Sequence, residues 1–198
     1  MYKKIGIKIV KKRPDGLNRT KNALEHCSFV GKARDGDRFY AQNEDISCPL
    51  ARYNLGLEEP SKKNLRALAK TLVGWGDAKT EDLGLKYLDS RRIFPYERKC
   101  ILYFPFPDDE YEPDVIIEIS TPSEIMAKVR EITYITGEST SGLSSGVGAM
   151  CGECTAFPIL TGKPNVSLGC TGSRPRVKLR HDEMFLALPY KFIGEEEF

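Results

Sequence analysis

The sequence predicts an α/β fold, a single domain over residues 1–198 with a mixed, largely buried sheet flanked by helices. Three observations carry that prediction. Two continuous apolar runs, Cys100-Ile101-Leu102-Tyr103-Phe104 and Asp114-Val115-Ile116-Ile117-Glu118-Ile119, read as strands covered on both faces. Amphipathic stretches with recognisable starts lie on either side of them, at helical spacing. Strands and helices follow one another with no internal repeat or linker, and 198 residues suffice for one core.

Ile5, Ile7 and Ile9 alternate with Gly6, Lys8 and Val10, which suits a strand, and Pro14-Asp15-Gly16 closes it with turn chemistry. Residues 1–22 hold eight Lys/Arg against one Asp. With Tyr2 as the one aromatic beside them, these charges read as a solvated edge strand kept from aggregating by its lysines. Thr20 to Val30 is expected to be a short helix carrying His26 and Cys27. Asp35-Gly36 then turns the chain into a short strand at Arg38-Phe39-Tyr40-Ala41. Cys48-Pro49 opens another helical stretch, because proline is well placed in a first turn, and this puts Cys48 at the helix N-terminus. Ser61 caps a helix over Lys62 to Val73, with Leu65, Leu68, Ala69 and Leu72 on one face, and a second follows from Lys79 to Ser90. The two apolar strands come next, joined by the acidic loop Asp108, Asp109, Glu110 and Glu112. Thr121-Pro122-Ser123-Glu124 then combines a cap, a first-turn proline and a capping box.

Composition excludes several classes. Hydrophobic residues make up 40% and charged residues 29%, so the chain is not disordered, collagen-like or fibrous. A net charge of +2 makes no case for nucleic acid as a partner. The N-terminus lacks the apolar run of a signal peptide and no later stretch has the length of a membrane span, so a cytoplasmic protein with no membrane partner is expected. In a reducing compartment six cysteines read as thiols, metal ligands or redox groups before they read as disulfides.

The chemistry concentrates after Ser139. The Gly/Ser stretch from Ser139 to Gly148 can bring backbone amides near an anion, yet it fits neither the dinucleotide nor the P-loop pattern. Cys151-Gly152-Glu153-Cys154 follows and, after fifteen intervening residues, Cys170. Four explanations fit these thiols: an iron-sulfur cluster, zinc, a redox dithiol at Cys151 and Cys154, or inert thiols. Cys170 lies between glycines, where small residues can donate to sulfur or to an anion. Arg174, Arg176, Lys178 and Arg180 form a basic run, either a solvated face or the charge complement of a cluster, an anionic small molecule or a redox partner protein. Cys100, inside an apolar strand, reads as a core thiol. Neither His26 nor His181 makes a catalytic pair with a defined acid, so no enzymatic reaction is assigned.

Several segments together resemble the domain of unknown function 169 family, a group of archaeal and bacterial proteins named for the lack of an assigned function. They are His26-Cys27-Ser28-Phe29-Val30, Ile46-Ser47-Cys48-Pro49-Leu50-Ala51, Phe106 to Val115 with Tyr111-Glu112-Pro113-Asp114-Val115, and Pro158 to Arg174 with Gly169-Cys170-Thr171-Gly172-Ser173. The resemblance implies cysteines at Cys27, Cys48, Cys151 and Cys170, whereas alanine is common at the position of Cys154 and an apolar residue at that of Cys100. Four scattered cysteines is the number one [4Fe–4S] cluster takes. The leading expectation is therefore a [4Fe–4S] protein of electron transfer or redox sensing, alone or within an anaerobic redox complex. With Cys154 present, either sulfur of the pair is a candidate ligand. The competing expectations are a module that grips a small anionic ligand or cofactor through Lys163, Asn165, Gly169, Gly172, Ser173 and Arg174, a dithiol protein using Cys151 and Cys154, and a zinc or metal-free protein.

Overall fold

The computed structural model describes residues 1–192, in which six strands form one sheet: β1 (Lys4–Val10), β2 (Phe39–Gln42), β3 (Cys100–Pro105), β4 (Val115–Ser120), β5 (Asn165–Ser167) and β6 (Met184–Pro189). Their order is β2-β3-β1-β4-β6-β5. Helices α1 (His26–Asp35), α2 (Pro49–Asn54), α3 (Lys62–Gly74), α4 (Glu81–Asp89), α5 (Pro122–Thr136), α6 (Phe157–Thr161) and α7 (Ser173–Arg176) surround it, with a π-helix at Ala149–Ala156. The α/β class holds. Every ladder between these strands is antiparallel, and parallel pairing occurs only as isolated bridges such as Arg19 with Tyr40 and Leu24 with Ile46. The doubly apolar runs that suggest parallel strands arise here because both faces of an antiparallel sheet are covered.

Alternation along the strands sorts the core onto those two faces. Ile5, Ile7, Ile101, Tyr103, Val115 and Ile117 pack with Phe29 and Val30 of α1 and with Met150, Cys151 and Cys154 of the π-helix. On the other face Cys100, Leu102 and Phe104 pack with Tyr40, and Leu186 and Leu188 pack with Ile125 and Ile132 of α5. Cys100 is thus a buried core thiol on the side of the sheet away from the π-helix. A satellite cluster joins α2 to α3 and α4 through Leu50, Leu68, Ala69, Leu72 and Leu88.

The expected edge position of the first strand is overturned. β1 lies inside the sheet, paired with β3 on one side and β4 on the other. Its lysines are compatible with that place because their aliphatic stems run out of the sheet to polar ends. Lys8 Nζ donates to the Glu112 carbonyl at 2.7 Å, and Lys4 reaches Glu118 at 3.8 Å. Gly6 faces the Phe104 ring, where a Cβ would come within 2.2 Å.

Most caps form as expected. Ser61 accepts from the Asn64 amide, Thr121 and Glu124 form the capping box, and Cys48 precedes α2 with Pro49 in its first turn. The helix expected from Thr20 begins only at His26. The preceding segment is held extended instead, by Leu24 N donating to Asp45 O and Ser47 N to Leu24 O. Because α1 begins later, Cys27 sits in its first turn.

α1 comes very close to α7. A Cβ on Gly31 would lie 2.3 Å from the Arg176 carbonyl oxygen, a backbone atom that can move only with its helix. Glycine-to-alanine exchange within a helix ordinarily gains up to about 1 kcal/mol. Here the overlap reverses the sign, and Gly31→Ala is expected to destabilise the fold by about 2 kcal/mol in urea denaturation.

Candidate functional site

Four chain segments converge on one cavity of about 510 Å³, within the range of roughly 300–1,000 Å³ typical of ligand sites. The first turn of α1 brings Cys27, the residue before α2 brings Cys48, the π-helix brings Cys151, and the turn before α7 brings Cys170. Leu50, Ala51, Val147 and Met150 form apolar walls. Trp75, half exposed, contributes from the loop after α3, and Glu25, Asp77, Thr171 and Arg176 are among the polar residues around it. Cys151 and Cys170 are buried, whereas Cys27 and Cys48 are partly open.

The other two cysteines are elsewhere. Cys100 lies across the sheet, and Cys154, fully buried, belongs to the core and does not line the cavity. The π-helix explains the second placement. Its wider turn rotates less per residue, so residues three apart fall farther from a common face than in an α-helix and the two sulfurs of the C-x-x-C segment diverge. Nothing in the sequence pattern announces that π-helix, nor β5 and β6.

Each sulfur in the cavity has polar company. Cys27 Sγ stands 3.9 Å from the Gly172 carbonyl, and Cys151 Sγ accepts from Asn54 Nδ2 at 3.1 Å. Cys170 Sγ accepts from the Ser173 amide at 3.3 Å. Burial pushes the Cys27 thiol up to about 12 and raises Cys151. Burial also raises Cys48, against the opposing pull of the Ala51 and Leu50 amides. These groups are therefore neutral thiols until something in the cavity replaces their protons.

Among the described residues no three His, Cys, Asp or Glu side chains stand close enough together to hold a metal ion as they are. A tetrahedral zinc site with bonds of about 2.3 Å would gather its sulfurs tightly. Four thiols, the number and donor type that a [4Fe–4S] cluster takes, line the cavity from four separate segments.

His26 lines the cavity without acting as a base. Its Nδ1 is 2.7 Å from the Tyr103 hydroxyl and its Nε2 is 3.0 Å from Thr155 Oγ1. Thr155 donates onward to the Met150 carbonyl, so Nε2 carries the proton and Tyr103 donates to Nδ1. Burial lowers the ring to about 3, which keeps it a neutral structural link between sheet and π-helix.

The residues expected to grip an anion divide. Gly172 and Ser173 line the cavity, while Gly169, Arg174, Lys163 and Asn165 do not. Arg174 is a strut, donating to the carbonyls of Leu168, Glu183 and Arg180. Asn165 is buried in β5, where it bonds the backbone of Leu143 and Glu153. Lys163 is exposed. Of the basic run only Arg176 reaches the cavity. Its guanidinium binds Glu25 at 2.8 Å and holds that carboxyl down at about 2.

Three important residues carry no distinct sequence signal: Asn54, Arg91 and Trp75. Glu153 did have one, a carboxylate between two cysteines in an apolar stretch. It is buried, ion-paired to Arg91 at 3.3 Å and bonded to the hydroxyls of Ser145 and Ser167.

Comparison with known proteins agrees with the resemblance in extent. The sequence model of the DUF169 family, described as Uncharacterised ArCR, matches residues 2–196. A protein of Methanocaldococcus jannaschii described as uncharacterized is 26% identical over 189 residues, covering 93% of this chain and 81% of the relative. No solved structure matches. No helix among the described residues is long and apolar enough to cross a membrane.

Proposed function

The chain belongs to the DUF169 family, and from that premise we propose that it binds a [4Fe–4S] cluster through Cys27, Cys48, Cys151 and Cys170 and serves electron transfer or redox sensing in the cytoplasm. One observation carries the reading. The four cysteines that the family resemblance singles out come from four separate segments and line the same cavity, while the two set aside do not. A cluster, when bound, supplies a one-electron carrier. The chain's own contribution is the four thiols, the donors at Asn54 and Ser173, and walls of Leu50, Val147 and Met150 that limit water. A redox partner protein, or a larger anaerobic complex, belongs to the same proposal.

Anaerobic purification followed by metal and sulfide analysis tests it. The expected result is about four iron atoms and four acid-labile sulfides per chain with absorption at about 400 nm. Zinc without sulfide, or a colourless metal-free protein after anaerobic reconstitution, would overturn it. Trp75 gives an independent signal, since it is the one tryptophan and borders the cavity. Its fluorescence is expected to fall at least twofold when iron and sulfide load the protein, by energy transfer to the visible chromophore. Unchanged emission on loading would place the iron away from this cavity.

A further inference from the structure

We infer that Asn54 is a positioning residue for the cluster, donating its side-chain N–H to Cys151 and thereby setting the reduction potential. The inference rests on the cluster reading and adds to it a residue that ligates nothing.

Asn54 is the last residue of α2, the helix that begins immediately after Cys48. One short element therefore carries a ligand thiol at one end and the donor to a second thiol at the other. The side chain is fully buried, with Nδ2 3.1 Å from Cys151 Sγ. Its Oδ1 has no partner. A buried carbonyl left unpaired destabilises the fold, a cost that a leucine of similar shape would not incur. Turning the amide over would leave two N–H groups unpaired and present oxygen to sulfur, a worse arrangement, so the donor faces Cys151. Two glycines also pack against this amide. A Cβ on Gly148 would lie 3.3 Å from Nδ2 and one on Gly152 3.1 Å, with Gly152 also making room for Arg91.

The remaining contact of Cys151 points the same way. Its S–H faces the Gly148 carbonyl at 3.7 Å, which leaves the sulfur lone pairs to Asn54. Once the thiol gives up its proton on ligation, the amide bond to it becomes charge-assisted and stronger. Donors to a ligand sulfur withdraw electron density and favour the reduced, more negative state of a cluster, which raises its potential.

The test compares reconstituted wild type with Asn54→Leu and Asn54→Asp, both near the native shape, by iron content and by reductive titration of the cluster. Asn54→Leu is expected to hold iron as wild type does and to shift its midpoint to a more negative potential. Asn54→Asp, which replaces the donor with an acceptor, is expected at or below the leucine variant. Full iron with an unshifted or raised midpoint in Asn54→Leu would overturn the inference while leaving the cluster standing. A wild type that takes up no cluster would instead overturn the proposed function. If neither variant folds, wild type labelled with ¹⁵N-asparagine decides the matter by pulsed EPR of the reduced protein. A ¹⁵N coupling to the cluster supports the inference, and its absence removes it.

Discussion

Cys48→Ser is expected to lower bound iron to less than about one-tenth of wild type, and Cys27→Ser, Cys151→Ser and Cys170→Ser to do the same. A cluster held by four thiolates has no spare ligand, so each substitution removes an iron–sulfur bond that nothing else in the cavity supplies. The contrast within the C-x-x-C segment is the sharpest part of the prediction. Cys154→Ala is expected to keep its iron, because that sulfur is fully buried in the core and does not line the cavity. Its cost is packing alone, about 1 kcal/mol for the small void. Cys100→Ala is expected to keep its iron too, being on the opposite sheet face. Iron analysis of the six single variants reads out all of this. Iron lost from Cys154→Ala and retained by Cys151→Ser would reverse the assignment of the pair.

The second large effect is on stability. Among the described residues Arg91 is the one cation paired with Glu153, across 3.3 Å, and Glu153 is almost entirely shielded from water. The guanidinium also donates to the Gly148 carbonyl and lies over the Tyr87 ring, so it joins α4 and the Gly/Ser stretch to the π-helix at Glu153, two residues after Cys151. Arg91→Met leaves a buried carboxylate with only the hydroxyls of Ser145 and Ser167. Removing one partner of such a pair costs about 3–5 kcal/mol. For a chain of this size that is a fall in Tm of about 10 °C. Arg91→Met with Glu153→Leu is expected to recover at least half of the loss, because no charge is then stranded. Differential scanning calorimetry of the two singles and the double variant measures the coupling. Additive losses would show that the pair contributes no mutual stabilisation.

Legibility followed the range of the interactions concerned. Ser61, Thr121 with Glu124, and Cys48 with Pro49 announce helix starts because capping is settled within four residues. The strands at Cys100 and Val115 were equally plain, since being covered on both faces leaves an unbroken apolar run. Where tertiary contacts decide, local patterns misled. The lysines of β1 looked like edge protection until Glu112 and Glu118 were seen to receive them. The helix expected from Thr20 gave way to strand-like bonds with Asp45 and Ser47, forty-series partners that no local pattern contains. The site shows the same division. Family resemblance selected four cysteines, and their common cavity could not be read from spacing, because the intervals between them are filled by elements of different kinds. Asn54 and Arg91 act only through contacts made by folding, with residues 97 and 62 positions away.

Differential alkylation of the cysteines, read by mass spectrometry on the loaded and the metal-stripped protein, tests the central claim most directly. Cys27 and Cys48 carry the decision, since both are partly open to a reagent whereas Cys151 and Cys170 are buried. The account predicts that Cys27, Cys48, Cys151 and Cys170 are protected together in the loaded protein and that chelation frees Cys27 and Cys48 at once, with Cys100 and Cys154 slow in both states. Free alkylation of Cys27 and Cys48 in a protein that still carries its full iron would contradict it.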